Sequence, residues 1–216
     1  MIYKKIVVLI CMVLAISGYK KVDSPYNWQF PYDHGSHPNY QVEWWYLTGH
    51  LSDDTSNDYN YGFEFTIFRV GNSFNQTINP WSFSNLFITH FTITDDTKKT
   101  FNEYDFTHRE KKDVSFAKEG HLNIINGPFK LTELNGEFMI QATKGDHELK
   151  LNLKNTKPIV FHGKNGYHKK TNDDHAASYY YSMTRLKGTG ELKIGDQRLT
   201  INDAEAWMDH EIFTPN

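Results

Sequence analysis

The segment Ala206-Trp207-Met208-Asp209-His210-Glu211 spaces two carboxyls and an indole at alternate positions. In an extended chain, Trp207, Asp209 and Glu211 would share one face, and Met208 and His210 the other. Two acids beside a tryptophan suit neither an ordinary core nor a plain surface. A carboxyl withdrawn from water is favoured in its proton-bearing form, which equips it as a general acid. An adjacent aromatic face stabilises positive charge. Asp209 and Glu211 are therefore candidate catalytic acids. The competing reading is structural: either could pair with Arg69 or Arg185 in an ion network that perturbs carboxyls without catalysing anything.

Glu43-Trp44-Trp45-Tyr46 repeats the theme. Val42, Trp44, Tyr46 and Thr48 fall on one face, and Glu43, Trp45 and Leu47 on the other. Whichever face points inward is large and aromatic. It could wall a cavity for a flat apolar ligand or simply pack a core. Trp44, Trp45 and Tyr46 are thus candidate ligand contacts, and Glu43 is a further acid or base if its face is inward. His90, between Thr89 and Phe91, reads as a polar group of the core or cavity. Eleven histidines invite a metal reading. Asp33, His34 and His37 could supply ligands, with His210 or His175 completing the set. The spacing matches no standard motif, and Gly35-Ser36 favours a turn, so no metal is expected. Ser178 and Ser182 flank tyrosines without a G-x-S-x-G elbow. No P-loop or dinucleotide fingerprint occurs, so no cofactor is implied.

The elements that must carry these residues are strands. Twenty-eight of 216 residues are Phe or Tyr, the sum of 15 and 13, which favours strand over helix. Tyr61, Phe63, Phe65 and Ile67 alternate with Gly62, Glu64 and Thr66. Comparable runs follow at 86–94, 100–107, 122–125, 129–134, 137–143, 148–153, 178–187, 190–194, 198–201 and 205–212. Asn135-Gly136 and Lys144-Gly145-Asp146 are hairpin-grade turns. Short strands at regular spacing predict an all-β sandwich or barrel. The stretch 162–177 is a long polar loop, either functional or mobile.

Net charge is −3, which offers nucleic acid nothing. Lys4 and Lys5 precede a short apolar run, Ile6–Ile16, ending at Ser17-Gly18. This reads as a secretory signal peptide over 1–17. The run is too short to span a bilayer, which takes about 20 residues, although retention as a membrane anchor is the competing reading. A secreted or periplasmic location follows. Residues 18–40 read as an extended N-terminal arm and 41–216 as the β domain. The single cysteine, Cys11, lies in the leader, so the mature chain has no disulfide and no thiolate nucleophile.

Four segments resemble the AttH/carotenoid-hydratase (hydroxyneurosporene synthase) family. They are FPYDHGSHPNYQVEWWYLTGHL at 30–51, YGFEFTIFR at 61–69, PIVFHGKNGY with ASYYYSMTR within 158–185, and AWMDHE at 206–211. Thr89-His90-Phe91 also fits. The family's glycine just before AWMDHE is missing, since 202–205 reads NDAE. The resemblance implies a lipocalin-like antiparallel β-barrel, or a strongly curved sandwich, with an apolar cavity for a hydrophobic small molecule such as an isoprenoid or lipid. It also implies a possible activity, hydration of an isoprenoid double bond, with many secreted relatives known only as hydrolases by prediction. Such hydration needs an acid to protonate carbon and a wall to sustain the cation. The resemblance points to Asp209 as the acid, with Trp207, Trp44 and Tyr180 around the cation. Family members resemble tandem barrels and this chain matches the first, so self-association, or a partner supplying the second barrel, is expected.

Overall fold

The computed structural model describes residues 18–55, 58–72, 83–171 and 176–215. The expected signal peptide and His175 lie outside the described residues. Thirteen strands form one antiparallel sheet: β1 (Val42–Asp53), β2 (Tyr61–Gly71), β3 (Asn85–Asp95), β4 (Thr100–Arg109), β5 (Ser115–Ala117), β6 (Asn123–Asn126), β7 (Phe129–Leu134), β8 (Glu137–Lys144), β9 (His147–Asn155), β10 (Val160–Phe161), β11 (Tyr167–Lys169), β12 (Ala177–Ile194) and β13 (Gln197–Phe213). Their order is β4-β3-β2-β1-β13-β12-β9-β8-β7-β6-β5, and β10 and β11 pair with the first half of β12. Most neighbours are hairpins. Asn135-Gly136 joins β7 to β8 with both residues at positive φ, the conformation that a tight hairpin turn requires.

The sheet curls into a nearly closed barrel. The β4 edge and the β5–β6 edge meet through a side chain rather than a ladder. Asn126 on β6 donates to the Thr89 hydroxyl at 2.8 Å and to the Phe106 carbonyl at 3.3 Å. Alternation drives the curl. Tyr61, Phe63, Phe65 and Ile67 all turn inward, as do Trp45, Leu47, Phe87, Phe91, Phe129, Leu131 and Ile140. The inward side chains of both walls form one continuous buried cluster. Burying each large side chain contributes about 1.5–3 kcal/mol.

Two features depart from the sequence pattern. The runs at 178–187 and 190–194 are one strand, β12, and those at 198–201 and 205–212 are one strand, β13. Irregular pairing near Gly188 and Gly190 lets β12 bend without breaking. Both glycines lie hard against β9, where a Cβ would collide with the carbonyls of Asn152 and Lys150. The second departure is the arm. It does not trail outside; it crosses one mouth of the barrel. A 3-10 turn at Tyr32–His34 sits there, and Asp33, His34, Ser36 and His37 are buried. The Ser36 amide donates to the Lys118 carbonyl across the mouth. Trp28 and Phe30 meet the ring of Tyr181 edge-on, with centroids 5.1 Å apart in each pair.

Candidate functional site

Register builds the site. The alternation that turns Trp45 and Leu47 inward also turns Glu43 inward, and the one that buries Phe65 and Ile67 buries Arg69. Glu43 faces Arg69 across β1–β2, Trp45 faces His210 across β1–β13, and His210 faces Tyr181 across β13–β12. Four neighbouring strands thus deliver Arg69, Glu43, His210 and Tyr181 to the mouth that the arm covers. The arm adds Asp33, His34, Ser36 and His37.

Glu43 is the hub and is fully buried. Its carboxylate accepts from His37 Nδ1 at 2.7 Å and His210 Nε2 at 2.9 Å on Oε1. On Oε2 it accepts from Arg69 Nε at 3.1 Å, the His37 amide at 2.9 Å and the Ser36 hydroxyl at 3.1 Å. Arg69 also donates to the carbonyls of His37 and Tyr40 and to Asn85. Burial alone would raise the Glu43 pKa, but His37, His210 and Arg69 hold it well below the usual carboxylate range. Burial likewise opposes a charged His37, yet Glu43 and Asp33 lift it to about 9. Burial lowers His34 to about 3, with His210 adding and Asp33 opposing. Burial also lowers His210 despite Glu43. At neutral pH two anions, Glu43 and Asp33, therefore face two cations, Arg69 and His37, while His34 and His210 are neutral.

These states fix the hydrogen-bond direction along a chain. Neutral His210 donates from Nε2 to Glu43, so its Nδ1 must accept from the Tyr181 hydroxyl, 3.0 Å away. Tyr181 has then spent its one proton and must accept from His34 Nδ1–H at 2.7 Å. His34 Nε2 is left as a lone-pair acceptor. Trp45 stacks on His210, with centroids 4.8 Å apart, and its indole donates to the His34 carbonyl.

His34 lines a recess of about 650 Å³ at the mouth, walled by Phe30, Pro31, Leu134, Phe138, Ile159 and Met183. His121, Glu133, Asn135 and Asn155 form its polar rim.

His37, Glu43 and His210 bring one donor atom each within 4.8 Å of one another, a spacing that could hold a metal ion. The donors are already spoken for. The carboxylate accepts five hydrogen bonds, and Arg69 and protonated His37 place positive charge where a metal would sit. The set fits a hydrogen-bonded ion cluster, not a metal centre. Of the residues weighed as metal ligands, His37 and His210 meet on Glu43, while Asp33 joins through His37 and His34 through Tyr181.

The remaining candidates lie elsewhere. Trp45 joins Glu43 inside. Asp209, Glu211, Trp44, Tyr46, Tyr180 and Trp207 line the outer face of β1, β12 and β13, in the register Trp44–Glu211–Tyr180 and Tyr46–Asp209–Ser182. Neither acid meets an arginine: Arg69 pairs with Glu43 and Arg185 with Glu205. Asp209 accepts from the Ser182 hydroxyl, and Ser182 in turn bonds His162 Nε2 at 2.7 Å. Glu211 pairs with Lys170. The Ser182–His162–Asp209 group is not a serine-hydrolase triad, because Asp209 holds the serine rather than the histidine and Ser182 is buried. His90 is outward and exposed, bonded to Asp105 at 2.5 Å. Sequence reasoning missed Tyr181, His162 and Lys170, and weighed Ser182 only as a nucleophile. For Tyr181 the signal was available, since strand parity places it opposite His210.

A nearly closed antiparallel barrel with a polar cluster at one mouth defines a lipocalin-like protein. The chain belongs to the AttH-like family, whose profile matches residues 21–215. Among solved structures it is similar to a protein described as an AttH from Nitrosomonas europaea, with a TM-score of 0.80 and 24% identity over 91% of this chain and 59% of that one. It is also similar to kievitone hydratase from Nectria haematococca, with a TM-score of 0.58 and 11% identity over 91% of this chain and 57% of that one. The chain thus spans less than two thirds of the length of either. Among curated proteins none matches.

Proposed function

We propose that this chain, exported with residues 1–17 as its leader, binds a hydrophobic small molecule such as an isoprenoid or lipid in the recess at the barrel mouth. The observation that carries the reading is the recess itself: six apolar residues wall it, and one buried histidine, His34, presents an acceptor. A volume of about 650 Å³ falls within the range of small-molecule sites, roughly 300–1,000 Å³. An apolar body gains from the walls, and a terminal hydroxyl would donate to His34 Nε2. The buried ion cluster behind His34 fixes its tautomer and so the polarity of the contact.

The test is titration of the full chain with farnesol and with farnesene, which lacks the hydroxyl. Saturable binding of farnesol, weakened at least tenfold in Phe138→Ala, supports the proposal. Equal affinity of the variant and the unaltered chain removes the recess from the account.

A second reading, acid-catalysed hydration of an isoprenoid double bond, is favoured by one observation. Asp209 is half-buried on the outer face between Tyr46 and Ser182, with Trp207 and Glu211 along the strand. Hydration would run there and not at the mouth, because His34 is held neutral and is a poor acid. Incorporation of ¹⁸O from labelled water into an isoprenoid, lost in Asp209→Asn, is its signature; no incorporation by the unaltered chain rejects it.

A further inference from the structure

A second, smaller recess lies on the outer face, where β13 ends beside the start of β12. Its volume is about 300 Å³, and Trp44, Ala177, Phe213 and Pro215 wall it. Trp44 is held by Phe68 and Phe213, with ring centroids 5.9 and 5.4 Å away. Lys170, Ala176, Ser178, Glu211 and Thr214 complete the lining.

The polar lining is incompletely satisfied. Ser178 is fully buried and its hydroxyl has no hydrogen-bond partner. Glu211 is also buried, and its Oε1 is ion-paired with the Lys170 ammonium, which leaves its carboxylate with lone pairs to spare. His168, paired across the ladder with Ser178, has a second orphaned atom, Nδ1. Orphaned buried polar atoms are rare and each calls for a reason. Here two of those found among the described residues, Ser178 Oγ and His168 Nδ1, belong to one ladder pair beside the recess.

We propose that this recess binds a small neutral alcohol: a flat apolar body lies against Trp44, and one hydroxyl donates to Glu211 while accepting from Ser178. A hydroxyl both gives and takes, so one such group serves the unpartnered Ser178 hydroxyl and the Glu211 carboxylate together. A hydrocarbon would leave both unmade. A charged ligand would unbalance the Lys170–Glu211 pair, whose carboxylate is buried, whose ammonium reaches solvent and whose two charges already cancel. A single water would satisfy the polar atoms but not the apolar walls, and the recess is far larger than one water needs. The site is separate from the mouth recess and does not depend on it.

Calorimetric titration of the full chain with 2-indanol and with its methyl ether tests the assignment. The ether keeps the rings and loses the donor. The expected result is one saturable site for 2-indanol, with binding at least tenfold weaker for the ether and about tenfold weaker in Ser178→Ala. Phe138→Ala, at the mouth, leaves it unchanged. Equal affinity for alcohol and ether, full affinity in Ser178→Ala, loss in Phe138→Ala instead, or no saturable binding would each overturn the site. Circular dichroism matching that of the unaltered chain establishes that Ser178→Ala folds.

Discussion

Replacing Glu43 with Gln removes one negative charge and keeps the shape. Five donors converge on that carboxylate, two of them cationic groups, Arg69 and His37. In the variant only Asp33 remains to balance both cations, and it reaches His37 rather than Arg69. The amide NH₂ must also point at a donor on at least one side. Leaving a buried charge without its partner costs about 3–5 kcal/mol, a large share of the roughly 5–15 kcal/mol that holds a domain folded. At about 2–4 °C per kcal/mol for a chain of this size, the melting temperature should fall by about 6–20 °C. Urea unfolding followed by tryptophan fluorescence measures the loss directly, because Trp45 stacks on the cluster. Removing Arg69 as well, as Arg69→Met, takes away the stranded cation. The double variant should therefore recover at least about 1 kcal/mol relative to the sum of the single losses. A Glu43→Gln variant within about 1 kcal/mol of the parent, or strictly additive losses, would refute the view that Glu43 holds the mouth together.

Stability should pass through a maximum with pH. His37, raised to about 9, contributes stability fully present below its unfolded value of about 6.5 and lost as pH rises through 9. His34 is lowered to about 3, so the folded state is penalised as pH falls below about 6.5, where the unfolded chain takes up that proton. The depressed Glu43 adds a further loss in acid, as pH falls through its folded value. Urea midpoints measured from pH 4 to 10 should peak between about 6 and 8 and fall on both sides; a flat profile contradicts the assigned charge states. Gly190→Ala should destabilise by well over the roughly 1 kcal/mol of a propensity change, because its Cβ meets the Lys150 carbonyl. Gly195→Ala, in an open turn with φ of +60°, should cost about 1 kcal/mol. Thermal melts of the two variants rank them, and the reverse order is the failing result.

Period-two alternation carried the fold, and it carried part of the site. It assigned opposite faces to Trp44 and Trp45, and the structure keeps that division. It placed Glu43 with Trp45 and His210 with Met208, and all four are buried together. Which face was inner could not be read from β1 alone, because both faces are aromatic. Burial along the whole strand settles it, with Leu47 and Leu51 on the side of Glu43. The arm was the least legible part. Its polar composition suggested an extended arm without saying where it lies, and Asp33, His34 and His37 are buried because Glu43, Arg69 and Tyr181 lie beneath them with complementary charge and hydrogen bonds. A polar segment finds a buried home only where a polar cluster exists to receive it, and that cluster is assembled by long-range register. Local pattern contains no trace of a contact between residues 37 and 210. The merging of four short runs into β12 and β13 was hidden for a similar reason: the glycines that seem to end a strand let β12 bend, and the polar Asn202-Asp203 of β13 sits where its register with β1 shifts.

The first strand of the barrel lies between the second and the last. During synthesis, β1 leaves the ribosome with one flank bare and stays so until β13 (Gln197–Phe213) has emerged. Until residue 210 is available, Glu43 lacks one of its hydrogen-bond donors and Trp45 its stacking partner. Contacts this distant in sequence slow folding and prolong exposure of unpaired edges. The arrival of β13 is therefore the step that covers the second flank of β1 and joins the two halves of the sheet.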